Sequence, residues 1–349
     1  MSRASIIFLV IVSLSACTSG KNVATSDEPA GTIIVANMSG DTVMLVDAES
    51  GTILTTVASG PAPHEVAVSQ DGRWAVVTNY GDRSRTGNSL TVIDLAGDED
   101  VQRIDLGIYE RPHGIVFRAD GKSVAVTSES QSVVVFVDVA SGAILGTAPT
   151  EQKVSHMVAA DASAMQLFTT NIVSGSITEI DPVNMSHSRV MTIGPMIEGI
   201  AVAPDGSEIW VGANREGKVL IIDTASGDST FALDQFGFPY RLSFTADGST
   251  VVISDPQKGE VRLVNAETRE LRHLVTFDES AIVATAEIPG STSPEGIAND
   301  RDGRFVYISM QGLNKVAAVR ISDGAVVRYY DVGEWPDGIA YSPLAGKTQ

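Results

Sequence analysis

PHEVAVSQDGRWAVVTNYGDRSRTGNSLTVIDLAGDEDVQRIDLG, residues 63–107, is the stretch of sequence that decides the fold. Apolar and polar residues alternate in it, β-branched residues are frequent, and Asp71-Gly72 has the composition of a tight hairpin turn. The pattern predicts four short strands, at 65–69, 74–79, 89–95 and 101–107. We expect them to form one antiparallel sheet.

The same pattern recurs along the rest of the chain. An Asp-Gly turn follows the first predicted strand in most copies, whereas the third copy has Asp161-Ala162 at this place. Most copies begin 42 or 43 residues apart, and the residues that open them are His64, His113, His156, Glu198, Tyr240, Glu295 and Asp337. Four strands in about every 40–45 residues are typical of a β-propeller blade.

The last copy is cut short in a way that predicts how the ring closes. It ends after one predicted strand, 338–342, while the repeat pattern begins near the N-terminus with three strands, 32–37, 42–48 and 52–57. Joined, these segments make one blade, and their pairing removes the open edges of the ring. We therefore predict an all-β fold, a seven-bladed β-propeller over residues 31–345 that is closed by pairing the C-terminal strand with the N-terminal segment.

Recurring strand sequences carry a resemblance to a known family. Second strands read AVVTN (75–79), WVGAN (210–214) and IIVAN (33–37), and third strands end in VID (92–94) or FVD (136–138). This chain resembles the YVTN-type β-propeller family, including the YncE-like exported propellers. The resemblance implies the propeller fold over nearly the whole mature chain. Propellers of this type include binding modules, surface-layer components, lactonases and haem-binding domains, so the fold alone does not indicate which function this chain has.

Residues 1–16 resemble a bacterial lipoprotein signal peptide. Residues 6–12 are an unbroken apolar run that is too short to span a bilayer, and Leu-Ser-Ala precedes Cys17 as in a lipobox. An ordinary secretory signal with a chance cysteine is the alternative, but lipidation explains why Cys17 is the one cysteine of the chain. We expect a lipid on Cys17 and a flexible tether at 17–30. Because Thr18 rather than Asp follows the cysteine, we expect an exported protein anchored in the outer membrane and facing the periplasm.

Charge and motifs narrow the classes of partner and cofactor. The formal net charge is −19, which repels phosphate backbones and argues against nucleic acid as a partner. The sequence has no Cys-x-x-Cys-His motif, which excludes covalent c-type haem. We expect the protein to be a monomer that is attached to the membrane through its lipid anchor.

The residues that open the copies should line the central channel, because the first strand of each blade lies next to the propeller axis. Three of the five histidines, His64, His113 and His156, hold this position in consecutive copies, and Glu198 follows them. Imidazoles bind metals and transfer protons near neutral pH. The cofactor is not determined by these residues: one interpretation is a divalent metal site at His64, His113, His156 and Glu198, and another is ligand binding by the same residues without a metal. The alternative is that Pro-His favours entry into the strand and that each ring bonds its own loop.

Other residues predicted at the same face extend this site. The last residues of the second strands are expected at this face of the propeller, and these are Asn37, Asn79, Ser128, Asn171, Asn214, Asp255 and Met310. Arginines also gather there, and an Arg can hold a carboxylate or phosphate with two parallel hydrogen bonds. Pairing with glutamates in the same loops is the alternative. The predicted ligand-binding residues are His64, His113, His156, Glu198, Tyr240, Arg241, Glu295, Asp337, Arg111 and Arg215.

Three functions are compatible with these observations. The first is a non-catalytic cell-envelope propeller that binds a small molecule or a protein at the channel mouth. The second is a lactonase- or lyase-type enzyme, possibly metal-dependent, working at the same mouth. The third is a haem or copper site on the three histidines. We favour the binding or scaffold module, because no catalytic motif of a family aligns residue by residue.

Overall fold

The computed structural model of the protein describes residue 1 and residues 28–97, 101–283, 285 and 288–346. Apart from residue 1, the predicted signal peptide lies outside the described residues, as do Cys17 and the tether up to residue 27. No helix among the described residues is long and apolar enough to cross a bilayer.

The described residues form 28 strands in seven four-stranded antiparallel sheets, which confirms the predicted seven-bladed propeller. The first eleven strands are β1 Thr32–Asn37, β2 Thr42–Asp47, β3 Ile53–Ala58, β4 Pro63–Val68, β5 Trp74–Gly81, β6 Thr86–Asp94, β7 Val101–Asp105, β8 Pro112–Phe117, β9 Ser123–Ser128, β10 Val133–Asp138 and β11 Ile144–Pro149. The next eight are β12 Ser155–Ala160, β13 Leu167–Asn171, β14 Ser176–Asp181, β15 Ser186–Thr192, β16 Ile197–Val202, β17 Glu208–Ala213, β18 Lys218–Asp223 and β19 Ser229–Leu233. The last nine are β20 Leu242–Phe244, β21 Thr250–Asp255, β22 Glu260–Asn265, β23 Leu271–Thr276, β24 Pro294–Asn299, β25 Phe305–Met310, β26 Lys315–Arg320, β27 Val326–Asp331 and β28 Pro336–Ser342. Three short 3-10 helices complete the described elements, Asn214–Glu216, Glu279–Ala281 and Gln311–Leu313.

Each sheet is one blade, and six blades are continuous in sequence. Blades 1 to 6 are β4–β7, β8–β11, β12–β15, β16–β19, β20–β23 and β24–β27. The closing blade has the strand order β28-β1-β2-β3, with Thr32 opposite Ser342 and Val35 opposite Ile339. The two ends of the propeller therefore pair as the truncated repeat predicts.

The hydrophobic core is divided among the contacts between blades. Seven clusters of buried apolar residues each join two neighbouring blades, so together they run round the whole ring. Alternate residues of one strand serve opposite neighbours: Val76 packs toward blade 2, whereas Ala75 and Val77 pack toward the closing blade. Because both faces of the second strands are buried, their sequences are apolar without alternation.

Strand ends differ from the sequence prediction in blades 1 and 3. β5 and β6 continue to a Gly81–Thr86 pair, so the predicted loop between them is shorter than expected. In blade 3 the turn without glycine is held by the Asp161 carboxylate, which accepts from the backbone N–H of Gln166 at 2.9 Å. Ala164 takes the positive φ of 52° that glycine would adopt more easily.

Removing β28 should destroy cooperative folding. A chain ending before Pro336 exposes the edge of β1 and loses the buried side chain of Ile339. Loss of a buried Ile alone costs about 2–5 kcal/mol. Circular dichroism melting should show no transition at the parental temperature, while a chain lacking only residues 347–349 should melt like the parent. Equal melting of both truncated chains would contradict the closure.

Candidate binding site at the channel mouth

In six of the seven blades the same backbone irregularity directs one side chain toward the channel. The pairing of the first with the second strand shifts register between Pro63 and Val66 in blade 1 and between Pro112 and Ile115 in blade 2. Blades 3, 4, 6 and the closing blade show the same shift. An extra residue of this kind is a β-bulge, which bends the strand and redirects a side chain. The residues at the bulges include His64, His113, His156, Glu198, Glu295 and Asp337.

Hydroxyl groups of the preceding blade donate to the carbonyl oxygens of four of these bulge residues, His156, Glu198, Glu295 and Asp337. Thr170 donates to the carbonyl oxygen of Glu198 at 2.8 Å, and Ser254 donates to that of Glu295 at 2.7 Å. Glycine follows the channel residue in four blades, because the neighbouring backbone leaves no space for a side chain. A Cβ at Gly338 would lie 1.8 Å from the carbonyl oxygen of His64. The channel residues are thus held in register between blades.

The three repeated histidines form one chain of ring contacts. The ring centroids of His64 and His113 lie 4.2 Å apart, and those of His113 and His156 lie 3.6 Å apart. His64 Nδ1 contacts the carboxylate of Asp337 from the closing blade. His156 contacts Glu129 through Nδ1 and lies 3.2 Å from Glu198 through Nε2. Each outer histidine of the three therefore has carboxylate partners.

Arg241 crosses the channel. It starts from blade 5, and its Nη2 lies 2.6 Å from Glu65 of blade 1, which is not a neighbouring blade. Its guanidinium also packs over the Tyr240 ring at 3.9 Å and lies 3.6 Å from Glu198. Glu198 receives a further hydrogen bond of 2.6 Å from the amide of Asn214. These contacts tie blades 1, 4 and 5 together at the axis.

The protonation of the histidines differs because their partners differ. Burial, together with the charges of His156 and His64, holds the pKa of His113 well below its usual range. Burial also opposes charge on His156, but its hydrogen bonds with Glu129 and Glu198 outweigh this effect and raise its pKa to about 9. At neutral pH a charged His156 therefore stacks against a neutral His113.

The pKa values of two carboxylates in this cluster, Glu198 and Asp337, are lowered. Burial opposes charge on Glu198, but His156 and Arg241 lower its pKa. Burial likewise opposes charge on Asp337, and the adjoining His64 lowers its pKa. The buried charges thus occur in opposite pairs, as burial of a charge requires.

The structure places the remaining predicted residues around this cluster, with one exception. Tyr240 and the buried Glu295 line the channel mouth, and Arg111 packs over the ring of Tyr80 at 4.9 Å. Arg215 is exposed in the turn after β17 and lines neither cavity described below. Asn214 was predicted to end that second strand, but the strand ends at Ala213, which pairs with Ile197.

Sequence reasoning did not assign Glu65, Tyr80 or Glu129 to the site. Each directly follows a residue that it did assign: His64, Asn79 and Ser128. Tyr80, Glu129 and Asn214 occupy equivalent positions in their blades. Each donates its backbone N–H to the residue that precedes the first strand, and that residue has a left-handed backbone conformation. The acceptors are Ala62, Arg111 and Met196. The position that directly follows Asn79, Ser128 and Ala213 is therefore a further set of channel-mouth residues.

One group of potential metal ligands lies in this cluster. Among the described residues, ligating atoms of His113, Glu129 and His156 lie within 4.8 Å of one another. The set predicted from the sequence contained His64 and Glu198 instead of Glu129. In the structure His64 turns its Nδ1 to Asp337, and Glu198 meets the second nitrogen of His156.

Two cavities open at the mouth. The larger, of about 690 Å³, is lined by His64, Tyr80, Arg111, Tyr240, Glu295 and Asp337, among others. The second, of about 480 Å³, shares Tyr240 and Glu295 with it and adds Glu198 and Phe238. Together they have room for a small molecule beside the charged cluster.

Comparisons with known proteins support the fold and give a partial relative. No family model matches the chain. A segment of 75 residues is 33% identical to a 6-phosphogluconolactonase of Enterobacter sp. (strain 638), and it spans 22% of this chain and 23% of that protein. Among solved structures the chain is similar to a functionally unknown protein from Desulfotomaculum acetoxidans DSM 771. That likeness has a TM-score of 0.70 at 16% identity and covers 90% of this chain and 99% of the other. The fold and site define a seven-bladed β-propeller with a charged channel mouth.

Proposed function

We propose that this protein binds a small polar molecule at the mouth of the propeller channel. The observation that supports this most is a charged cluster beside an open cavity, in which His156, Arg241 and Asp337 are buried and His64 and Glu198 are partly buried. Buried ion pairs contribute little net stability compared with well-packed apolar residues. A propeller whose blades already share seven apolar clusters has no need of them for folding, so a role in binding explains them better.

The cavity lining favours an acidic, hydroxylated ligand, such as a sugar acid or its lactone. Arg111 offers a planar cation that can hold a carboxylate or phosphate. Glu295 and Asp337 offer acceptors for ligand hydroxyl groups. Tyr240 and Trp335 supply aromatic surface on which a ring can pack.

Hydrolysis of a lactone at this mouth is the second candidate function. It is favoured by the 75-residue similarity to a 6-phosphogluconolactonase and by the pairing of His64 with Asp337. A carboxylate that orients an imidazole is the usual arrangement of a general base. In this proposal Nε2 of His64 takes a proton from water as the water oxygen attacks the lactone carbonyl. The imidazolium then donates that proton to the ring oxygen as the C–O bond breaks, which gives the hydroxy acid.

Calorimetric titration with a panel of aldonic acids, uronic acids and their lactones tests the binding proposal. Arg111→Ala should weaken binding of an acidic ligand by about 10- to 100-fold, the equivalent of one charge-assisted hydrogen bond. Arg215→Ala is the matched control, because this arginine lines neither cavity. Absence of binding across the panel, or equal losses in both variants, would contradict the proposal.

A pH-stat assay with the lactones separates the two candidates. If the protein is a hydrolase, acid release should be catalytic and His64→Ala should abolish it. If the protein is a binding module, bound lactone should be released without ring opening beyond the spontaneous rate.

We further propose that the propeller, residues 31–345, is an exported lipoprotein anchored through Cys17 by the tether 17–30 and facing the periplasm from the outer membrane. The proposal rests on the apolar run at 6–12, the Leu-Ser-Ala sequence before Cys17 and the lack of any other cysteine. Mass spectrometry of the mature N-terminus should find a diacylglyceryl group on Cys17, and Cys17→Ala should accumulate as an unlipidated precursor. An unmodified N-terminus at another residue would rule out the anchor.

A further inference from the structure

Two histidines and a carboxylate meet where blades 2 and 3 face the axis. His113 lies on β8, Glu129 follows β9 and His156 lies on β12. Their ligating atoms lie within 4.8 Å of one another. We propose that these three residues bind a divalent transition-metal ion. With metal–ligand bonds of about 2.0–2.2 Å, ligand atoms around a tetrahedral ion lie about 3.3–3.5 Å apart. The direct contact between His156 Nδ1 and Glu129 must therefore open to admit the ion, while ligand atoms near the 4.8 Å limit move closer.

His113 is the residue that most needs such a ligand. It is 1% exposed, and neither of its ring nitrogens has a hydrogen-bond partner among the described residues. A buried polar group without a partner costs about 1–3 kcal/mol. A metal ion bound to one nitrogen removes part of this cost, and the ring contacts with His64 and His156 already hold the imidazole in place.

The surroundings of the other two ligands are those of a metal site. His156 meets Glu129 through Nδ1, so an ion between them would replace the proton on Nδ1 and leave the Nε2–H to Glu198. A carboxylate on the second nitrogen of a histidine ligand fixes its orientation and raises its basicity. Tyr80 donates to the second carboxylate oxygen of Glu129 at 2.6 Å and fixes that ligand in the same way.

Glu198 is itself held by residues outside the ligand set. The Asn214 amide donates to its Oε2 at 2.6 Å, and Arg241 lies 3.6 Å from its Oε1. These contacts keep the carboxylate aligned with His156. The ligand His156 is thus held by Glu198, and Glu198 is in turn held by Asn214 and Arg241. A chance grouping of surface acids would not have two successive layers of supporting contacts.

The ligand types select the class of ion. Two imidazoles and one carboxylate suit zinc and neighbouring transition metals, whereas calcium and magnesium prefer oxygen ligands alone. Three protein ligands leave a position for water or for a donor atom of a ligand, as in catalytic zinc sites. This site does not depend on the proposed small-molecule function, since the metal ion can bind with the cavity otherwise unused.

The test is calorimetric titration of the chelator-treated full chain with Zn²⁺ alone. We expect one equivalent per chain, with Ca²⁺ and Mg²⁺ binding far more weakly. Tyr80→Phe keeps all three ligands but removes the support of Glu129, and it should weaken Zn²⁺ binding about 10-fold or more. Glu129→Gln removes a ligand at constant size, and it should weaken binding by more than about 100-fold, the upper range for loss of a supporting contact.

Two control variants exclude other binding groups. His273→Ala removes a histidine on the fourth strand of blade 5, and His187→Ala removes one on the fourth strand of blade 3. Both should leave the Zn²⁺ affinity unchanged. Zn²⁺ should also raise the melting temperature of the parent more than that of either channel variant. If Glu129→Gln does not fold, Tyr80→Phe decides. No Zn²⁺ uptake by the folded parent, or uptake that both channel variants leave unchanged, would overturn the proposal.

Discussion

The pairing of β28 with β1 closes the ring of blades, and the channel mouth depends on that closure. When the ring is complete, successive copies of the repeat are related by rotation about one axis. The residues that open the seven copies then point toward the same central space. The closing strand also carries Asp337, whose carboxylate meets His64 of blade 1. The interaction that completes the fold therefore supplies one side of the site, and loss of β1 or β28 would affect stability and site together.

Buried charges at the mouth are compensated between blades rather than within them. His64 pairs with the closing blade, His156 with blades 2 and 4, and Arg241 reaches across the axis to Glu65. Such pairs need good geometry to offset the cost of leaving water. The bulges and the hydroxyl contacts supply that geometry, because they fix the first strands in register. His113 lies inside this compensated network without a hydrogen-bonding partner among the described residues, which makes it the place where an added ligand would gain most.

The repeat alone predicts the number of blades, the closure and the ring of residues that opens the copies, because these follow from the period of the sequence. It does not predict that Glu65 and Arg241 pair, since they lie 176 positions apart and meet only across the axis. The sequence pattern did not indicate Glu129 and Tyr80. The backbone N–H of each donates to a residue outside the strands that has a left-handed backbone conformation, and the strand repeat does not predict this contact. Asn214 was predicted as the last residue of its strand, but the strand ends one residue earlier, at Ala213. The differences thus arise where the backbone departs from regular strand geometry.

The central claim is that His113 is buried and neutral between two histidines that carboxylates keep basic. Nitrogen NMR of the five histidines in chelator-treated protein, recorded over a pH titration, tests it most directly. His156 should remain protonated until the pH approaches about 9. His64 should titrate above the ordinary histidine value, and His113 should stay neutral well below that value. If all three channel histidines instead titrate together near the unperturbed value of about 6.5, they are not buried beside one another and the account is wrong.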